Sequence, residues 1–515
     1  VESHQKNLSL MKRNFLCLVA ALGLFAGLSS CKDFLNTEPS GSLPTEKVLK
    51  EFSLLQPALR GVYDGLQGSS SSTSYYGGLF LISGDVRGDD MQCPTTGSRG
   101  NDYYHMSFDQ TTMYGPWYKA YGVIRRANRL ISMCQNLQPK ATTDAQKQEV
   151  GNALAQAKAI RALVHFDLVR LYAKPYPYSN NGAMLGIPIV FSVPENKSMP
   201  GRSTVKEVYD QIIKDFTEAL SSGMLEETSY GYLSSSAVKA LLARVYLYMG
   251  TPEGNTEALR LSKEVIDGGK YALATQLAEY KQIWSEASSK EMIFSIVNFD
   301  SKDWSDREGF AYILSVYGYY NALITKKFYD EMMEDPNDIR WNVLWASKGT
   351  KAAGAVQNLP GTNEDMKLFI GKYPGKAAFK DMRTNDIPVI RLAEVYLNAA
   401  EAAFKLGNTA QALSYLNVIV KRANPAKSVA SGDLTLNRIL QERAKELVGE
   451  GHRFYDLMRN GLRCERFYDG KPGWHVPLTE ASRSFDHTYF RTLLPIPKSE
   501  LDANATLAGQ QNPGY

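Results

Sequence analysis

Cysteine and histidine are both scarce in this chain, with five Cys and six His among 515 residues. Cys17, Cys31, Cys93, Cys134 and Cys464 include no Cys-x-x-Cys pair, which argues against a zinc ribbon or a dithiol redox centre. With Cys17 and Cys31 committed elsewhere, as argued below, three remain. At most one disulfide can then form, no disulfide framework is implied, and the three read as small buried side chains. No two histidines stand at a metal-ligand spacing. His165, beside Phe166 on a helical face, reads as a satisfied core residue, and His452 as part of a polar network with Arg453 or Asp456. A Gly-x-x-x-x-Gly-Lys phosphate loop, a Gly-x-Ser-x-Gly elbow and a His-Glu-x-x-His helix are all missing. No cofactor and no metal are therefore expected. An excess of charge of one sign is missing too. Lys and Arg number 58 against 54 Asp and Glu, which gives no electrostatic case for a nucleic-acid partner.

The longest uncharged apolar run, Phe15 to Leu28, is fourteen residues and follows Lys12 and Arg13. It is too short to cross a bilayer, which needs roughly 20 apolar residues. A basic start, an apolar segment of this length and small residues before a cut site describe a bacterial secretory signal. Cys31 directly after Leu28-Ser-Ser30 resembles a lipobox, in which the cysteine sulfur is diacylated and the chain is cut before it. Each buried methylene adds about 0.8 kcal/mol, so several acyl chains anchor stably. The expectation is an exported, lipid-anchored protein whose precursor starts at Met11, with residues 1–10 left out of fold reasoning.

Beyond the anchor, apolar residues recur at helical spacing. Glu46 to Gly65 carries Val48, Phe52, Leu55, Leu59 and Val62. A polar loop follows, from Gly68 to Ser74. Gly115 to Leu137 reads as a second helix, and Tyr114 just before it with Trp117, Tyr118, Tyr121, Ile124 and Ala127 forms one stripe that reads as core. Helices are expected over Asn152–Tyr172 and over Thr204–Ser222, which opens on a Ser/Thr cap. They are also expected over Ser235–Met249 and Thr256–Gly268. The clearest pair is Ile390–Leu406 with Thr409–Ala423, where Ala400, Ala403, Gly407, Ala412, Leu416 and Ile419 let two antiparallel helices approach closely. This resembles the tetratricopeptide repeat, whose stacks present concave surfaces. Tyr271 to Asp386 differs, with short apolar runs such as Met292 to Val297, many glycines and dense aromatics. It reads as loops with small sheet elements. The expected divisions are 1–30 (upstream extension and signal), 31–270 (first helix pairs), 271–385 (an irregular, aromatic-rich ligand face) and 386–515 (the last repeat pair and tail).

Several motifs, in this order and spacing, resemble the SusD/RagB outer-membrane lipoproteins of Bacteroidetes. They are Cys31-Lys-Asp-Phe-Leu35, Trp117-x-x-x-Tyr121-x-x-Ile124-x-x-Ala-Asn128 and Arg391-Leu-Ala-Glu-Val-Tyr-Leu-Asn-Ala-Ala-Glu401. Further along come Glu442-Arg-Ala-Lys-Glu-Leu447, Gly451-His-Arg-Phe-Tyr-Asp-Leu457, Leu494-Pro-Ile-Pro-Lys-Ser-Glu-Leu501 and Gln511-Asn-Pro-Gly-Tyr515. The resemblance implies a mainly α, tetratricopeptide-like scaffold with an irregular, loop-rich ligand-binding subdomain. It also implies residence on the exterior of the outer membrane, a SusC-like TonB-dependent transporter as partner, and capture of oligosaccharides without catalysis. Capture of peptides, as in some members of the family, is the alternative. A third reading is a surface glycoside hydrolase using Asp85, Asp89 and Asp90, because paired carboxylates cleave glycosides. The same acids also suit a loop salt bridge through Arg87, or calcium ligation with Asp102.

Sugars present apolar C–H faces and a rim of hydroxyls, which proteins meet with flat rings and a few fixed polar groups. Aromatics on loops are thus the candidates. They are Trp304, in Asp303-Trp-Ser-Asp306, then Tyr312, Tyr317, Tyr319 and Tyr320, together with Tyr75 and Tyr76 beside the serine-rich loop. Asp85, Arg87, Asn101 and Asp102 are the candidates for the hydroxyls. That the two regions meet on one face is implied by the resemblance.

Overall fold

The computed structural model describes residues 51–68, 75–93, 98–113, 115–191, 199–227, 230–286, 289–298, 309–348, 356–358, 366–378, 381–466, 475 and 478–515. Cys31 and Trp304 lie outside them. Helices dominate: α1 Leu55–Gln67, α2 Leu79–Val86, α3 Asn101–His105, α4 Gly115–Leu137, α5 Asp144–Tyr172, α6 Val205–Ser221, α7 Ser235–Met249 and α8 Pro252–Asp267. Then come α9 Leu277–Ser285, α10 Phe310–Leu314, α11 Lys326–Met333, α12 Leu392–Lys405, α13 Thr409–Ala423, α14 Leu436–Leu447, α15 Arg453–Arg459, α16 Glu480–Arg483 and α17 Lys498–Ala503. Short strands β1 Met91–Gln92, β2 Met292–Ile296, β3 Leu323–Ile324, β4 Leu344–Lys348, β5 Val356–Asn358, β6 Met366–Ile370, β7 Ile387–Arg391, β8 Cys464–Glu465 and β9 Ser484–Phe485 fill the irregular regions. All strand pairings among the described residues are antiparallel: β1–β3, β2–β7, β5–β4–β6 and β8–β9.

The long helices stack in sequence order, α1 on α4, α4 on α5, α5 on α6, α6 on α7, α7 on α8, α8 on α12, and α12 on α13. Side-chain caps start several of them. Thr143 and Gln146 form a capping box that opens α5 eight residues earlier than apolar spacing alone predicts. Thr204 and Glu207 do the same for α6. Pro252 in the first turn, behind the cap of Thr251, extends α8 toward its N-terminus past the expected Thr256. In α5 the alanines 153, 155, 157, 159 and 162 are all buried, so α4 and α6 both approach its axis closely. The stripe on α4 is core at Trp117, Ile124 and Ala127. Tyr118 lies one position past Trp117, is turned about 100° away, and is 65% exposed.

The α12–α13 pair meets the repeat expectation. Ala400, Ala403, Ala412, Leu416 and Ile419 are fully buried in one apolar cluster with Leu397 and Ile439. Between the repeats, β2 pairs with β7, which runs directly into α12, so the aromatic-rich region is stitched to the last helix pair. Cys93, Cys134 and Cys464 are buried free thiols, as expected. His165 is buried, but neither ring nitrogen finds a hydrogen-bond partner among the described residues. Burial and then the nearby Arg161 press its pKa down to about 3, so it sits in the core as a neutral ring.

A buried ion network joins the strand ladder to the helices. Arg391, at the end of β7, donates to Glu291 (2.7 Å), to Glu446 (2.6 Å) and twice to Glu450 (2.8 Å each). Arg422 of α13 pairs with Glu291 and Glu446, Lys372 with Glu450, and Arg340 with Asp338, Glu442 and Glu446. A second cluster sets Arg443 and Arg459 against Glu401 and Asp456. In a third, Arg244 grips Glu394 through two 2.6 Å bonds, and His452 approaches Glu394 at 3.6 Å.

Replacing Ala412 by Leu overpacks a contact with no spare volume, at a cost of about 1–3 kcal/mol. The melting temperature of Ala412→Leu should fall, and an unchanged melt would refute the tight α12–α13 register. Acid should act through the networks. Burial by itself raises the Glu394 carboxyl, but Arg244 and then His452 outweigh it and hold it down to about 2. A depressed carboxylate stabilises above its unfolded pKa, and that contribution disappears as pH falls through the folded value. Asp90, which burial pushes up to about 6, works the other way and favours the fold as pH drops below 6. His165 and His452, held neutral with pKa values near 3 and 4, oppose Asp90, because below about pH 6.5 the unfolded rings take up protons that the folded ones do not. Thermal melts should therefore stay level or fall slightly from pH 7 to 5, then fall steeply between about pH 4.5 and 2.

Candidate ligand-binding site

Two distant segments meet where β1 pairs with β3, Met91 opposite Ile324 and Gln92 opposite Leu323. The ladder is extended by Thr325, whose N–H donates to Asp90 O (2.8 Å) and whose hydroxyl donates to Asp89 O (3.0 Å). Phe310 N–H donates to Gly77 O at 2.6 Å. Residues 75–93, 98–105 and 309–325 thus lie together.

After α10 the chain folds back on itself. Tyr319 N–H reaches Tyr312 O (2.9 Å), Asn321 N–H reaches Ile313 O (2.9 Å), and Gly318 and Tyr320 N–H both reach Ser315 O. A Cβ at Gly318 would lie 1.9 Å from the Tyr312 carbonyl oxygen, so only glycine permits this turn. The turn sets Tyr312 edge-on to Tyr319, with centroids 5.0 Å apart. The Arg99 guanidinium lies over the Tyr319 ring at 3.6 Å from its centroid, a cation–π contact. Asn321 Oδ1 accepts from Arg99 N–H (3.2 Å) and from Arg99 Nη1 (3.5 Å), which fixes the arginine from both ends. Tyr317 at the tip is 53% exposed. Asn101 and the exposed Asp102 begin α3, two and three residues after Arg99. Asn101 Oδ1 is buried without a hydrogen-bond partner among the described residues.

Of the residues nominated from sequence, Tyr317, Tyr319 and Tyr320 lie on one turn that packs back on Tyr312 of α10, and Asn101 and Asp102 lie on the segment that Arg99 joins to it. Trp304 falls outside the described residues. Tyr76, Asp85 and Arg87 are placed in the interior, where a ligand has no access. Every residue of α2 is buried, because a Cβ at Gly84 would lie 2.3 Å from Gly451 O and its absence lets the two backbones touch. Tyr75 donates to Asp167 (2.8 Å) and packs edge-on against Tyr76. Asp85 accepts from Gly451 N–H (2.8 Å). Arg87 bonds Ser83 O, Thr492 O and the Tyr455 hydroxyl, and lies over Phe454 at 3.9 Å.

The carboxylate pair is internal as well, and Arg87 does not bridge it. Asp89 is held by Arg453 (2.6 and 3.0 Å), with Lys327 at 3.2 Å from Asp89 and 3.4 Å from Asp90. Burial would raise Asp89, but Arg453 and Lys327 together keep it below the usual range. No group of acids, histidines or cysteines among the described residues suits a metal ion. Arg99 and Asn321 are the members that sequence reasoning missed. The only signal for Arg99 is a lone cation between Ser98 and Gly100, two residues before Asn101.

Fold and site together define a helical-repeat scaffold with a loop-borne aromatic and polar face. The SusD family model matches residues 297–515, and a model described as starch-binding associating with outer membrane matches 33–247. A solved SusD superfamily protein from Bacteroides thetaiotaomicron is 34% identical, with a TM-score of 0.77 over 92% of this chain and 100% of that one. SusD-like protein P2 of Formosa agariphila is 27% identical over 96% of this chain and 98% of its own length. Starch-binding protein SusD of B. thetaiotaomicron is 35% identical over 147 residues, 28% of this chain and 24% of that protein. The chain belongs to the SusD family.

Gly318→Ala tests the geometry directly. Its methyl has no room against the Tyr312 carbonyl, so the turn must open and Tyr319 must leave Arg99. The exchange protection of the 319–321 amides should drop, and protection equal to wild type would refute the turn.

Proposed function

We propose that this protein is a non-catalytic surface lipoprotein that captures oligosaccharides and delivers them to a SusC-like TonB-dependent transporter. Acyl chains on Cys31 hold it at the outer membrane, facing the cell exterior. One observation carries the reading of the site. A tyrosine ring clamped by Arg99 and Tyr312 stands beside the exposed Tyr317 and the polar Asn101 and Asp102, on a turn whose backbone is fixed by its own hydrogen bonds. Such a surface offers flat rings for C–H faces and donors and acceptors for hydroxyls without ordering a flexible loop first. The starch-binding description of the family model at 33–247 supports the same ligand class. Trp304, only a few residues before α10, is proposed as a further ring of this face. Non-catalysis is supported by the placement of Asp85, Asp89 and Asp90, which are buried and held by backbone or cations.

On an oligosaccharide identified by glycan array, Tyr319→Ala and Trp304→Ala should each weaken binding by calorimetry at least tenfold, about 1.4 kcal/mol. Unchanged affinity in both would place the ligand elsewhere. Overnight incubation with the same glycan should release no new reducing ends. Cys31→Ala should yield a protein that washing releases from membranes of cells lacking the transporter, and persistent attachment there would refute the anchor.

A further inference from the structure

A groove of about 630 Å³ opens beside the first half of α4 and shares no residue with the loop site. Its size lies within the range of small-ligand sites, about 300–1,000 Å³. The floor is the face of α4 on which Tyr118, Gly122 and Arg125 follow one another at helical spacing. The space over Gly122 is open, since a Cβ there would meet nothing within 4 Å. Tyr118 lines it and is 65% exposed.

The walls are fixed by bonds that do not depend on a ligand. Tyr121 donates its hydroxyl to Pro188 O (2.8 Å), and Asn504 donates to Pro200 O (2.9 Å). Arg126 is clamped to Gly61 O (2.6 Å) and Asp64 (2.8 Å) on α1. Against this fixed frame, Lys119, Arg125 and Glu500 line the rim and make no ion pair among the described residues.

We propose that this groove is a second oligosaccharide-binding site. The inference rests on the reading of the chain as a glycan-binding protein and extends it to a separate surface. One exposed flat ring takes the apolar face of a sugar, and the uncommitted rim groups take hydroxyls or an acidic substituent. The concavity argues for a small ligand over a protein, because a stable protein interface buries about 1,200–2,000 Å² across a broad surface.

The test uses the full-length chain in detergent on an array of neutral and acidic oligosaccharides, with wild type, Tyr319→Ala, Tyr118→Ala and Gly122→Leu compared. Gly122→Leu projects a side chain into the groove from a Cβ position with nothing within 4 Å and raises helix propensity, so its fold should be intact by melting. At least one oligosaccharide should bind Tyr319→Ala as it binds wild type, lose tenfold or more in affinity with Tyr118→Ala, and lose binding with Gly122→Leu. Groove variants that bind every oligosaccharide as wild type does, while Tyr319→Ala loses its ligands, would overturn this site and leave the loop site standing. Wild type that binds nothing on the array would overturn the glycan reading itself. Groove variants that keep all glycan binding but lose capture by the transporter would overturn the second site in favour of a protein contact.

Discussion

Arg391 is the point on which the architecture turns. It ends β7, caps the start of α12 with its backbone, and sends its guanidinium to three carboxylates drawn from β2's edge and from α14 and its exit. Removing two charges from water is expensive, so a buried pair adds little net stability over a well-packed apolar pair. Breaking one is different. An uncompensated charge left inside costs about 3–5 kcal/mol, and here several carboxylates would lose a partner at once. The network therefore acts as a specificity device. Arg391 and Arg422 share Glu291 and Glu446, and Arg340 and Lys372 complete the set, so the strands and helices that bring them cannot shift register independently.

The same device reaches from the scaffold to the ligand face. The α15 helix is held to α12 through Arg459 and Glu401, and to α14 through Arg443 and Asp456. From its first turn Arg453 grips Asp89, one residue before Asp90, whose carbonyl extends the β1–β3 ladder. Further on, buried Arg466 donates to the carbonyls of Val86 at the end of α2, Gly88 just after it and Tyr104 in the last turn of α3, where the helices themselves leave carbonyls without partners. Buried carbonyls need partners. Long arginine side chains from the C-terminal half supply them to the loops of the N-terminal half, so the irregular face is positioned by the helices behind it.

This division explains what could be read from the sequence. Helix spacing, Ser/Thr caps and small residues at the α12–α13 contact are local signals, and the boundaries they gave for α7 and α13 coincide with the structure. The motifs that carried the family resemblance, at Arg391–Glu401, Glu442–Leu447 and Gly451–Leu457, contain Arg391, Glu394, Glu401, Glu442, Arg443, Glu446, Arg453 and Asp456. These are members of the buried networks. Residues before the ladder were misread for the same physical reason. The run Gly84 to Asp90 looks like a charged surface loop, because its partners Gly451 and Arg453 lie more than 360 positions away. Spacing cannot reveal that two glycines bring those backbones together. Arg99 escaped notice because a cation–π contact with Tyr319 has no local sequence signature.

Within the ligand loop, the backbone and the side chains answer to different constraints. Gly318 has no room for a Cβ, and Tyr320 adopts a left-handed φ of 43° with its ring against Phe369. Both serve the turn. Tyr317, between Ser315 and Gly318, contributes a backbone bond to the Ser315 hydroxyl while its ring stands more than half exposed. Changing that ring alters what the face offers a ligand with little consequence for the turn that presents it. Changing Gly318 alters the turn itself. A scaffold pinned by buried charge and a turn pinned by its own carbonyls thus leave the exposed rings as the positions where recognition can be tuned at the lowest cost to the fold.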